Sequence, residues 1–393
     1  MSGIILLAII LLLLFFFFRS RSTVGTPSTG FFGIGGNVST TQTAGDSTAT
    51  GQGGNLSLQR VFKIADGPVA GATFVQTFSP TTTLARYVMQ DTGHIFDLAI
   101  DVAGAAARPI SNTTIPGVTA AFWEKKGGAT ILQYVDASVL KSVYAEFPPA
   151  TTTSVVTPVR IQFLPSGISA LAASPDGSSF AYTLQTSRGV DGYIANPDGT
   201  NSKKVFSLPL SQVLLSWPAQ NTLLAQAKSA VGVPGIAFAI DAKTGAVSPL
   251  LYTPGLSVIA NSDFSKVVYQ TSPNTQTGAT TYAHDGPTGK DTDISKTPLP
   301  EKCAWSTVDT TALYCAVSLD PTPATYMDLW HQGLVQMPDS IVLFDTNNGA
   351  GVVITLPGNG GPSAPIDQLG VSPDGKYLLF ITRGDHSLWG VRL

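Results

Sequence analysis

Charge is what this chain has least of. Only 12% of its 393 residues are Asp, Glu, Lys or Arg, about half the share usual in soluble domains. The formal net charge is −3, so there is no basic field of the kind a nucleic-acid partner requires. Histidine is nearly as scarce. His94, His284, His331 and His386 are the full set, and none stands at metal-ligand spacing from another. No G-x-S-x-G pentapeptide is present, which excludes a nucleophile-elbow hydrolase. The oxygen-rich run from Asp285 to Asp293 lacks the ordered calcium-loop pattern and reads as a turn. No cofactor, metal or catalytic residue is expected. Methionine and charged helix-formers are few, while Gly, Pro, Ser and Thr abound. That balance favours strands and turns over helices.

The exception to the turn-rich composition is the N-terminus. Gly3 to Phe18 is an unbroken apolar run followed by Arg19 and Arg21. Sixteen helical residues reach about 24 Å, slightly short of the ~30 Å hydrocarbon core. The run ends in four phenylalanines rather than a small-residue cleavage site, so residues 1–19 read as an uncleaved transmembrane helix. Residues 20–56 are Ser/Thr/Gly-rich and hold too little apolar surface to order themselves, so they read as a disordered linker. The positive-inside rule applied to Arg19 and Arg21 would hold the C-terminal side in the cytoplasm. The low charge, the linker and a cysteine pair favour the extracytoplasmic side, which we take.

From residue 57 to 393 short apolar runs alternate with turn signals. Val118–Trp123, Ile168–Ala173, Gln212–Trp217, Leu256–Ala260, Lys302–Ser306 and Gly370–Ile381 each open or hold a hairpin, and Gly71–Phe78 opens a looser copy. Further apolar runs end in Asx-Gly turns, as at Asp241–Gly245 and Asp345–Gly349. First strands therefore start near 71, 118, 168, 212, 256, 302 and 366, at intervals of about 44 to 64 residues, near the period of propeller blades. The expected fold is an all-β, seven-bladed β-propeller of four-stranded blades. The last copy ends after its third strand, and Leu58–Ile64 is the strand available to close it.

Ser174-Pro175-Asp176-Gly177 and Ser372-Pro373-Asp374-Gly375, the latter running into Lys376–Phe380 and Leu388-Trp389, resemble the TolB-like, WD-type propeller repeat. The resemblance spans roughly residues 58 to 393 and implies a propeller of mostly extracytoplasmic, often protein-binding, use. It carries over no site, because the motif shapes a turn.

Two features remain. If Ser306 and Ala312 flank a hairpin turn, antiparallel pairing sets Cys303 opposite Cys315, at a distance a disulfide can bridge. The longest insertion, Leu319 to Ser340, lies between the second and third strands of its blade. Its Tyr326, Met327, Trp330 and His331 are either a partner-binding surface or the packing of a short helical lid. The functional expectation is a membrane-anchored, extracytoplasmic interaction or envelope-scaffold module with a protein partner. The second reading is an enzyme or glycan-binding protein with its site in the central channel.

Overall fold

The structure, a computed structural model, describes residues 59–78, 81–147 and 159–393, all within one compact unit. The apolar run of residues 3–18 and the linker of residues 20–56 lie outside the described residues. Among the described residues no helix is long and apolar enough to cross a membrane.

Seven antiparallel sheets of four strands make up the fold. Their first strands are Val69–Phe78, Val118–Trp123, Ile168–Ala173, Val213–Ala219, Ser257–Ala260, Cys303–Trp305 and Ile366–Val371. We number the blades 1 to 7 in that order. These first strands form the inner wall, and those of blades 6, 7, 1, 2, 3 and 4 pack each on the next. Blade 7 has only three strands of its own, and Val61–Ala65 supplies the fourth by pairing with Leu388–Arg392. The seven-bladed propeller with four-stranded blades is thus present, closed by the strand the sequence reserved for it. Closure covers the edge that Leu388–Arg392 would otherwise leave open.

The core is divided among the seams between blades. Phe62, Phe74, Tyr87, Leu379 and Leu388 fill the seam between blades 7 and 1, and comparable clusters fill the others. Side-chain amides stitch several seams. Gln226 donates to the Val258 carbonyl at 2.7 Å and accepts from the Val258 amide at 2.9 Å. Gln133 donates to the Ile168 carbonyl, and Gln270 to that of Pro298. Each buried amide is thereby satisfied by the next blade, which a void or a hydrocarbon neighbour could not do.

The first turn of several blades uses one hydrogen-bond scheme with different residues. In blade 3 Ser174 Oγ accepts from the Ser179 amide and donates to Asp176 Oδ1, which in turn accepts from the Ser178 amide. Blade 7 repeats this through Ser372 and Asp374. In blade 5 Asn261 and Asp263 take those places, with Phe264 at φ 59° where blades 3 and 7 have Gly177 and Gly375. In blade 2 Glu124 accepts from the amides of Lys126 and Gly128. Asp285, in the oxygen-rich run, accepts from the Thr288 amide and hydroxyl and pairs with Lys266 at 2.6 Å.

Candidate functional site

Two inner-wall features bear on function. The first is chemical poverty: among the described residues, the seven inner strands carry a single charged side chain, Asp367. A channel site built on converging carboxylates has no such set of residues on those strands to draw on. The second is asymmetry. Blades 7, 1, 2 and 3 each have a β-bulge near the start of the inner strand, at Asp367/Leu369, Val69/Gly71, Val118/Ala120 and Ile168/Ala170. In blades 4, 5 and 6 the register there is regular.

The regular half is strapped by the insertion. Residues 318–339 leave blade 6 between its second and third strands, on the face that also carries the blade-to-blade linkers. Within them lies helix α1, Tyr326–His331. Met327 and Trp330 are 2% and 4% exposed and form a small core with Leu299 and Val335. Asp328 Oδ1 accepts from the amide of Val231, in a loop of blade 4, at 3.0 Å. At the other side, the Arg383 guanidinium of blade 7 lies 3.9 Å over the Trp330 ring. The strap therefore touches blades 4, 6 and 7 and the linker between 5 and 6.

Beneath it sits a buried ion pair. Lys302 Nζ donates to both Asp339 oxygens, at 2.8 and 2.7 Å, and to the Tyr326 hydroxyl at 2.7 Å. It also lies 4.4 Å over the Trp330 ring. Asp339 in addition accepts from the Ile366 amide of blade 7. Burial pushes the Lys302 ammonium down and the Asp339 carboxyl up, and their mutual attraction opposes both shifts. Burial likewise raises the Tyr326 phenol far above its ordinary value, with the charge of Asp339 adding to it. His331 Nε2 and Glu301 Oε1 stand 2.7 Å apart at the edge.

The structure thus brings together all four insertion residues singled out in the sequence, and turns Met327 and Trp330 inward. The surface they leave to solvent is contributed by neighbours, Leu334 on the insertion and Val233 beside Val231, both half-exposed or more. Sequence reading missed the roles of Lys302, Asp339 and Arg383, because Lys302 and Asp339 meet across 37 residues of blade 6 and Arg383 joins them only when blade 7 packs alongside. Directly after Lys302, Cys303 and Cys315 are register partners and form a disulfide. Near the cluster, the Nη1 atom of Arg383 is buried without a hydrogen-bond partner among the described residues.

No family model matches the chain, and no curated protein sequence does. Solved structures do. Kuenenia stuttgartiensis hydrazine synthase is similar over 86% of this chain and 99% of that one, at TM-score 0.54 and 11% identity. The Neurospora crassa Pan2 WD40 domain is similar over 83% and 89%, at TM-score 0.50 and 12% identity. TolB from Acinetobacter baumannii is similar over 76% and 66%, at TM-score 0.45 and 12% identity. At such identities the likeness is one of fold. The chain shares its fold with the hydrazine synthase and Pan2 structures.

Proposed function

We propose that this chain is a protein-interaction module, a propeller tethered to a membrane by residues 1–19 and presenting its strapped face to a protein partner on the extracytoplasmic side. The observation that carries the reading is the contrast between the two parts of the molecule. The inner wall offers one carboxylate, while one face is built out by an insertion locked to its neighbours by a buried ion pair. A rigid, elaborated face on a chemically bare ring suits recognition better than turnover. The Cys303–Cys315 disulfide fits an oxidising compartment, and the long linker fits a domain held clear of a bilayer.

Protease treatment of intact cells tests the orientation. The reading expects the exposed turns of the propeller to be cleaved without permeabilisation. Protection until the membrane is opened would overturn the extracytoplasmic placement.

A further inference from the structure

A cavity of about 240 Å³ opens between the inner strands of blades 7 and 1. That is about eight waters' share of liquid volume at ~30 Å³ each. Phe74, Leu379 and Leu388 form its apolar depth, and Thr73 and Gln368 stand among its lining. No charged residue lines it.

Three features set it apart from a packing gap. Gly370 lies on its wall, and a Cβ there would meet nothing within 4 Å, so a side chain could be placed in the space without a backbone clash. Gln368, at the bulge, holds φ at 34°, a left-handed conformation that costs a non-glycine residue backbone strain. Bulges of this kind re-aim a side chain. Finally, the side chain of Gln368 makes no hydrogen bond to other described residues and is exposed. A glutamine amide offers one acceptor and two donors. A ligand amide answers its oxygen and its nitrogen at once.

We propose that this side pocket binds a compact, uncharged ligand with an apolar body and an amide head. The apolar depth takes the body. The absence of charge on the lining selects against ions, whose desolvation nothing there repays. The inference goes beyond the scaffold reading and does not rest on it, since the strapped face lies on blades 4 to 7 and needs no side pocket.

Ligand-observed NMR titration of the full chain tests it, with benzamide as the probe, acetamide as the head alone and benzoate as the charged isostere. Saturable benzamide binding is expected, with acetamide and benzoate each weaker by at least about ten-fold. Gly370→Val should remove binding while leaving thermal stability equal or higher, because the added side chain fills space and stiffens the strand. Gln368→Ala should weaken benzamide about three- to ten-fold, the worth of one or two hydrogen bonds, and decides the matter should Gly370→Val not fold. No saturable binding to the unaltered chain, or binding indifferent to both substitutions, would overturn the proposal and leave the cavity a packing gap.

Discussion

Val61 is the register partner of Val391, so the strand that opens the described propeller is hydrogen-bonded to the strand that ends it. Beside them the ring of Phe62 covers Gly390, where a Cβ would lie 2.5 Å from it, and the Arg392 guanidinium stacks 4.5 Å over the same ring. The seam is therefore keyed: an aromatic on one strand occupies the space a glycine leaves on the other. Phe62→Ala should cost about 3–5 kcal/mol, as buried aromatic truncations do. Gly390→Ala should also destabilise, since the buried ring has little room to retreat. Chemical denaturation reads both. Midpoints unchanged from the unaltered chain would mean that the seam does not hold the ring closed.

The buried pair under the strap predicts an asymmetry between breaking it and replacing it. Asp339→Ala strands the Lys302 ammonium and orphans the Ile366 amide, and should cost about 3–5 kcal/mol. Lys302→Met combined with Asp339→Leu removes both charges and should recover much of that loss. Equal losses for the single and double variants, by urea denaturation, would refute this.

Trp330 separates packing from recognition. Being buried against two cations, it should lower stability by about 3–5 kcal/mol when changed to alanine. Leu334→Asp, at a side chain 59% exposed, should leave stability near the unaltered value. Partner capture should suffer in both. A Trp330→Ala variant of full stability would return that residue to the surface role its composition alone allows.

Acid should weaken the propeller through its turns. The Ser174 hydroxyl, with amide and Gln220 donors behind it, holds Asp176 well below the ordinary carboxylate range. Lys266 and Thr288 do the same for Asp285, and Thr311 for Asp309. Each folded-state value lies below its unfolded one. The stabilisation is therefore present above the unfolded value near pH 4 and is lost as pH falls toward the folded values. Below about pH 4 these turns should lower the denaturant midpoint. Asp176→Asn should flatten part of that fall. A midpoint that rises on acidification has the wrong sign for this account.

The disulfide closes a short loop, twelve residues apart in sequence. On the chain-entropy model its loss costs about 3 kcal/mol. Reduction, or Cys303→Ser with Cys315→Ser, should lower the denaturation midpoint accordingly, and no thiol should react in the unreduced folded chain.

Much of this architecture is legible in the sequence because a propeller repeats. The expected starts at 118, 168 and 366 coincide with observed strands, and the others fall within two residues. The pairing of Cys303 with Cys315 follows from placing one turn between Ser306 and Ala312, whose backbone does close it. The turn scheme was readable only where serine, proline, aspartate and glycine coincide. Glu124 and Asn261 perform the same task with other atoms, so residue identity hides what hydrogen bonding preserves. The strap is the opposite case. Lys302 and Asp339 lie 37 residues apart within blade 6 and Arg383 comes from blade 7, and no local period or motif records their meeting. Trp330 and Met327 carry the composition of an interface, yet their burial also depends on Leu299, which the insertion alone does not announce.

Recognition through the strapped face is the central claim, and site-specific photocrosslinking in intact membranes tests it most directly. A photoreactive residue at Leu334 on the strap should give a discrete, reproducible adduct with one protein, and the same residue at Lys125, on an exposed turn of the opposite face, should not. No adduct from Leu334, or the same adduct from both positions, would contradict the account.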